Sequence, residues 1–553
     1  MEEKKLTETM ENTAYETTSE PIFSDCESVK KTEKFPITKR DLIFAFLFLV
    51  SAFVFSAFGL WGGFKAGFTV SSLLFSGVVT AYLFKKDIKP TFFTVTCFVF
   101  SLLLSVIFSI TSNSSVRFWG LLVLTVLSLI WFCSLVRKCE KDDYGLLYMI
   151  FAPIFGGALP DLIISISSLF TVGEKNRKKL GSVFLGVALA FPVLLVVVPL
   201  LISSDAAFSG FALKLISNVA SSVLKIIVTL IITPFIISYC LSLAKREQKT
   251  FKTPEFKKAE NTAVISFLSV LSLCYLAYLF SQLAYFFSAF SGFLPEDYSF
   301  TLSSYARRGF FEMCVIAAIN FVIIFICILI SAKKEGKICV ATKALCTFIG
   351  FFTLVIISTA LSKMFLYIKN FGMTELRITT SAFMLFLSVT FISLMVKIFV
   401  AKIRVFRVAL VSAATVLTFL GIFNINSIIA GYNYNAYING ALKTVDVYAI
   451  YDLGDEGIPY LIKLAYDDDF TVSQTAKQRL TEVYTNGEYY ESFYNENGYY
   501  DLGKKNYKGL EDFSFSKQKA YKSLDEYVKK NPEILIPEDY GESYEDYEDF
   551  DLY

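Results

Sequence analysis

The sequence predicts an all-α, polytopic membrane protein with about eleven transmembrane helices and a small, mostly helical C-terminal region outside the bilayer. Three observations carry this expectation. First, the chain is 54% hydrophobic and only 18% charged, with 57 phenylalanines and a mean hydropathy of +0.54, whereas soluble domains carry about 25% charge. Second, eleven apolar runs are long enough to cross a bilayer as helices. Third, lysine and arginine cluster in every second connection, the pattern that fixes orientation in a membrane.

Residues 1–40 are rich in Glu, Lys, Thr and Ser and contain no apolar core of a signal peptide. They are expected to form a disordered cytoplasmic tail. The runs that follow are Leu42–Trp61, Phe68–Phe84, Phe92–Thr111, Phe118–Val136, Ser182–Ile202, Val223–Leu243, Ala263–Phe287, Phe310–Ser331, Leu345–Tyr367, Ser381–Val400 and Phe406–Phe423. Pro192 and Pro234 fall inside runs, where membrane helices accept them as kinks. Basic clusters precede the first run and follow the second, fourth, sixth, eighth and tenth. The alternation places the N-terminus in the cytoplasm and the C-terminal region outside. Lys225, Lys363 and Lys397, near span ends, are expected to snorkel.

Leu146–Phe170 breaks the count. Gly156-Gly157 and Pro160-Asp161 interrupt it, and basic clusters flank both sides. A re-entrant or interfacial hairpin fits better than a twelfth span. Asp161 at its tip is a candidate contact for an ion or substrate, or a cap for the second half-helix. Phe208–Val219 reads as a short amphipathic piece on the outer side.

Beyond Phe423 the character changes. From Asn424 to the end there are 25 acids and 12 bases, a net charge of about −13 that the rest of the chain offsets. Residues 424–485 read as a domain of short amphipathic helices, two of them in an αα-hairpin. Residues 486–553 read as a Tyr-rich acidic region, partly disordered. Asn424, Asn426, Tyr432 and Asn433 have the character of caps and turns. The acids Asp446, Asp452, Asp455, Glu456 and Asp467–Asp469 do not have the spacing of an EF-hand loop, so a solvated face is favoured over calcium.

Composition also excludes chemistry. The chain has no histidine, which removes Ser-His-Asp and Cys-His catalysis and histidine metal sites. None of its ten cysteines forms a C-x-x-C pair. No Walker loop, nucleotide fingerprint, G-x-S-x-G or HExxH occurs. No cofactor, metal or catalytic residue is expected, and the basic clusters are loop-sized, which argues against nucleic acid.

The chemistry that remains is a charged collar. Ser303–Ser331 opens with Tyr305, Arg307 and Arg308, then Glu312, with Asn320 deeper in the run. Arg308 and Glu312 are four apart and can pair on a helix. Glu375 and Arg377 occupy another outer loop, and Gln282 lies near the end of the seventh run. Arginine suits carboxylate or phosphate. The collar of Arg307, Arg308, Glu312, Glu375, Arg377, Tyr305, Gln282 and Asn320 is therefore either an anion-binding site or a salt-bridged structural rim. Asn320 and Gln282 also suit interhelical hydrogen bonding.

Three stretches then carry a resemblance: QLAYFF with SSYARRGFFEM, NFGMTELRI, and FNINSIIAGYN with VDVYAIYDLGDEGIPYLIKL. In this order they resemble a bacterial multi-pass membrane family catalogued as domain of unknown function 4173, with a sister group 4153. The resemblance covers roughly 266–464 and implies a plasma-membrane protein, with no activity attached. The function expected is a non-catalytic cell-envelope or sensory membrane protein. It would sit among membrane lipids and act through an envelope or sensory partner at its C-terminal region. The alternatives are a transporter or flippase for an anionic lipid or envelope precursor, and a membrane-embedded transferase. Oligomeric state is left open.

Overall fold

A computed structural model describes residues 35–85, 87–137, 143–169, 221–246, 258–291, 310–331, 333–334, 337–485, 490–494, 500–504 and 513–531, with the single positions 186, 190, 193 and 197. Among them the fold is all-α apart from two small antiparallel hairpins, Lys333–Lys334 with Lys337–Ile338 and Tyr490–Tyr494 with Tyr500–Lys504. Ten described helices are long and apolar enough to cross a membrane. They correspond one to one with ten of the eleven expected spans. The fifth, Ser182–Ile202, lies outside the described residues except at positions 186, 190, 193 and 197, and Pro192 and the Phe208–Val219 piece lie outside them altogether.

The bundle begins with α1 (Lys39–Val54, extended by a π-turn over Phe55–Leu60), α2 (Ala66–Leu83), α3 (Phe92–Ile110) and α4 (Ser114–Val136). Their starts are set locally. Thr38 and Asp41 form a capping box on α1, Thr91 caps α3, and Asn113 caps α4. The turn between α1 and α2 requires glycine at 67, because a Cβ there would lie 2.2 Å from the Phe58 carbonyl oxygen. Hydroxyls tie the helices together inside. Thr69 Oγ1 donates to the Ser105 carbonyl (2.7 Å), and Trp131 Nε1 to Thr80 Oγ1 (3.0 Å).

A bent segment follows: α5 (Asp143–Pro153, continued as a π-turn over Ile154–Ala158) and α6 (Leu162–Leu169), with a 61° break between the two halves. Then come α7 (Ser221–Lys245), α8 (Asn261–Ser291), α9 (Phe310–Ile330), α10 (Val340–Phe371), α11 (Glu375–Phe399) and α12 (Val405–Ile422). Leu268, Ala317, Ile324, Ile349, Met384, Phe391 and Leu394 bury themselves between α8 and α11. The opposite faces remain open, as at Val270 (70% exposed). Apolar side chains of this kind on the outside of a spanning helix are what lipid contact requires.

The two ends of the bundle differ. At one end Arg40 donates to the Ala81 and Tyr82 carbonyls, Lys85 reaches the Ala244 carbonyl, Lys245 pairs with Asp41, and Lys397 pairs with Asp143 at 2.5 Å. Lys397 is thus anchored by a buried carboxylate, where the sequence suggested only a snorkelling side chain. The bent segment belongs to this lysine-rich end. It starts at Asp143 beside Lys397, bends at Asp161 beside Arg246, and closes where Ser168 Oγ accepts from the Phe35 amide (3.2 Å). Its start, its bend and its close are thus all joined to residues of this one end.

The opposite end carries a helical layer: α13 (Ile425–Ile438), α14 (Val447–Tyr451), a 3₁₀ turn (Gly454–Glu456), α15 (Ile458–Leu464), α16 (Phe470–Thr485) and α17 (Phe515–Lys530). Its core joins Ile450, Leu461 and Leu464 to Leu480 and Tyr484 and to Ala520, Leu524 and Tyr527 of α17. The αα-hairpin expected from composition is α14 and α15. The helix α17 comes from the stretch read as a Tyr-rich acidic region, and it completes the core. Asp446 caps α14 through the Ala449 amide (3.0 Å), and Asp469 caps α16 through Thr471 (2.8 Å). Burial, and the Asp467 carboxylate that accepts its hydrogen bond, hold the Tyr437 hydroxyl above its ordinary pKa.

Candidate functional site

The expected collar divides. Tyr305, Arg307 and Arg308 lie outside the described residues, and Gln282 is placed only as a backbone position within α8. Glu312 is exposed on the first turn of α9, and Glu375 is half-buried on the first turn of α11. Arg377 is committed locally. Its guanidinium donates to the Phe371 carbonyl (2.9 Å) and to that of Gly372, and lies 4.0 Å from the centre of the Tyr367 ring. It thereby closes the α10–α11 turn, satisfying carbonyls that a helix end leaves open.

Asn320 is fully buried ten residues into α9, about 15 Å from its start. Its Oδ1 accepts from the Tyr275 hydroxyl of α8 (2.6 Å), and its Nδ2 donates to Thr353 Oγ1 of α10 (2.9 Å). Three helices meet on one amide, the interhelical role expected of it. Leucine at this position is expected to cost about 0.6–1.7 kcal/mol, the range measured for such bonds in membrane bundles, read as a lower melting temperature in detergent. Asp161 is also engaged. Its Oδ2 meets Arg246 Nη1 (2.9 Å) and Ser242 Oγ (3.1 Å), while its carbonyl starts α6 by accepting the Ser165 amide.

The polar constellation that brings distant elements together lies elsewhere, where the helical layer seats on the bundle. The turn between α3 and α4 presents Ser112 and Asn113. Ser112 donates to Glu456 twice, from its amide to Oε1 (3.0 Å) and from its hydroxyl to Oε2. Glu456 is 3% exposed. Asn113 Nδ2 donates to Asn426 Oδ1 (2.8 Å), and Asn426 Nδ2 to the Leu453 carbonyl (3.4 Å). Arg117, one turn into α4, donates to the Phe108 carbonyl (3.3 Å) and lies in the field of Glu456 and Asp455. The Ala66 amide at the start of α2 donates to the Phe513 carbonyl (3.1 Å).

Asn424 is the pivot between the bundle and the layer. It adopts the left-handed conformation, φ 46°, which asparagine tolerates better than most residues. This sharp turn sends α13 away from α12. The Asn424 Nδ2 donates to Ser516 Oγ (2.8 Å), and Ser516 Oγ donates to the Ile110 carbonyl (2.8 Å). The Asn424 Oδ1 is buried with no hydrogen-bond partner. Around it is a cavity of about 190 Å³ lined by Asn424, Ser427, Asp455, Glu456, Ser516 and Lys519 among others. Two carboxylates, one ammonium and an amide oxygen lacking a donor suit a small polar solute that offers hydrogen-bond donors.

Sequence reasoning placed Asn424 and Asn426 as caps and Asp455 and Glu456 on a solvated face. It passed over Ser112, Asn113, Ser516 and Lys519. One signal was present: Ser514 followed by Ala520, Leu524, Tyr527 and Val528 at helical spacing marks α17 as a capped amphipathic helix. The pairing of Ser112 with Glu456, 344 positions apart, leaves no local pattern.

No curated protein and no solved structure matches the chain. A family model described as Domain of unknown function (DUF4153) matches residues 71–464. This is the sister group of the family that the three stretches resembled. The match runs from α2 to the end of α15, so it takes in Ser112, Asn113, Asn424, Asn426 and Glu456 and stops short of Ser516 and Lys519. It extends over well more than half of the sequence, and the chain therefore belongs to the DUF4153 family.

Proposed function

We propose that this integral membrane protein is a non-catalytic component of the bacterial cell envelope. In this reading the C-terminal helical layer stands outside the plasma membrane and conveys the binding of a solute or an envelope protein to the bundle. The observation that carries the reading is the interlocked junction. Glu456, Asn426 and Ser516 of the layer are hydrogen-bonded to Ser112, Asn113 and Ile110 at the ends of α3 and α4. A ligand that shifts the layer must strain these bonds, and α3 and α4 must respond. The orientation rests on the lysine-rich end, which lies opposite the layer and would face the cytoplasm.

Impermeant maleimide labelling of intact cells tests the orientation, using cysteines at two exposed positions. Lys443→Cys, between α13 and α14, is expected to label, and Lys89→Cys, between α2 and α3, is expected to stay protected until the membrane is opened. The reverse pattern would falsify the proposal.

A second reading, a transporter or flippase for an anionic lipid or envelope precursor, is favoured by the bent α5–α6 segment with its buried Asp161, since discontinuous helices form the sites of many transporters. The pairing of Asp161 with Arg246 and Ser242 weighs against it.

A further inference from the structure

The bundle holds two adjoining cavities that the junction does not explain. One, of about 200 Å³, lies between α2, α3 and α4 and is lined by Phe55, Phe68, Ser72, Ser76, Ser101 and Ser105 among others. The other, of about 250 Å³, is lined by Val79, Ile154, Ala158 and Leu159 and reaches the bent segment. Phe75, Leu129 and Phe132 line both. Across these three side chains the two adjoin as a pocket of two chambers, the first lined by hydroxyls and aromatic rings, the second by aliphatic side chains together with Phe235 and Tyr239.

The serines are not equivalent. Ser72 donates to the Thr69 carbonyl (3.0 Å), Ser101 to Phe98 (2.7 Å) and Ser105 to Ser101 (2.9 Å), each within its own helix. Ser76 is 8% exposed, and its hydroxyl has no hydrogen-bond partner. A buried hydroxyl in a hydrocarbon setting is costly to leave unsatisfied.

We propose that this pocket binds an isoprenoid quinone. The quinone ring would lie among Phe55, Phe68, Phe75 and Phe132, one ring carbonyl would accept from Ser76, and the prenyl chain would run into the aliphatic part beside Ile154 and Leu159. Depth selects this ligand over a phospholipid. Ser76 lies ten residues into α2, about 15 Å from its start and close to the middle of the hydrocarbon. Ester linkages and charged headgroups belong at the interface, whereas an uncharged planar carbonyl compound is at home at this depth. Aromatic rings favour stacked or edge contacts with such a ring. The inference is independent of the junction and its function.

The test uses the full chain purified from membranes in mild detergent. Solvent extraction and mass spectrometry should recover isoprenoid quinone at close to one per chain. Ser76→Phe, which fills the pocket, and Ser128→Leu, on the facing wall, should each lower recovery roughly tenfold, the equivalent of about 1.4 kcal/mol. Ser76→Thr, which keeps the hydroxyl, should hold it. Val270→Ala on the lipid-facing side of α8 should leave it unchanged. Adding a short-chain quinone should quench Trp131, beside Phe132, saturably in the wild type and only by collision in Ser76→Phe. Recovery that follows total phospholipid equally in every variant would overturn the inference. So would recovery of phospholipid in place of quinone, or a cross-link from residue 128 into 170–220 showing the pocket filled by the chain itself.

Discussion

Replacing Glu456 with alanine is expected to free the helical layer from the bundle. The carboxylate is almost wholly buried. It accepts both hydrogen bonds that Ser112 can donate, and its charge acts on Arg117. Its removal leaves the Ser112 amide and hydroxyl without their acceptor and takes a negative charge from the field at Arg117. A buried donor left unsatisfied costs about 1–3 kcal/mol, more where its partner was charged. Glutamine keeps an acceptor and loses the charge, so Glu456→Gln should cost less, about 1–3 kcal/mol. Two measurements follow the loss: the melting temperature in detergent, and protease cleavage in the exposed turn near Gly440. A cycle with Ser112→Ala separates the contact from general damage, since the double variant should be less destabilised than the two single effects added together. Cleavage and melting unchanged in Glu456→Ala would remove the basis for coupling through the junction.

The bundle was legible in the sequence because a membrane imposes a simple rule. With no water to satisfy the backbone, a spanning segment must be a helix of about 20 apolar residues, and composition alone reveals such runs. The starts of α4 and α11 were less legible: the expected runs opened at Phe118 and Ser381, because the caps Asn113 and Thr374 stand ahead of the apolar stretch that composition reveals. Asp161 was placed at the tip of a hairpin because Gly156-Gly157 and Pro160 announce a break. Its partner Arg246, 85 positions away, was not. The same distance problem hid the junction. Ser112 reads as a loop serine and Glu456 as one acid among many until the fold sets them against each other. Arg377 shows a subtler limit: the sequence left it as either an anion-binding or a structural guanidinium, and its contacts with the carbonyls of its own turn could be read only from the fold.

At the lysine-rich end, removing the Asp41 carboxylate should be the most damaging single change. Asp41 accepts from the Thr38 amide (2.7 Å), the Thr38 hydroxyl (2.8 Å), the Tyr82 hydroxyl (2.8 Å) and the Lys245 ammonium. One side chain thus caps α1, holds the end of α2 and anchors the end of α7. It is 6% exposed, and Lys245 is 15% exposed, so solvent cannot replace either. Asp41→Leu takes the acceptor from the Thr38 amide, the Thr38 hydroxyl and the Tyr82 hydroxyl, and leaves the Lys245 ammonium with the Pro36 carbonyl and no counter-charge. It should cost about 3–5 kcal/mol for the stranded ammonium, with about 1 kcal/mol more for the lost cap. Lys245→Met should cost less, because three donors still satisfy the carboxylate. The double variant Asp41→Leu with Lys245→Met should recover part of the loss, since no isolated charge then remains. Thermal unfolding of the four proteins at low and high salt decides the matter. A buried pair should keep its coupling in 1 M salt, where an exposed pair such as Lys529 with Asp525 would be screened. Strictly additive single effects would show that Asp41 and Lys245 contribute separately. The three-helix clasp at this end would then be held by apolar packing around Phe48, Tyr82 and Leu241 alone.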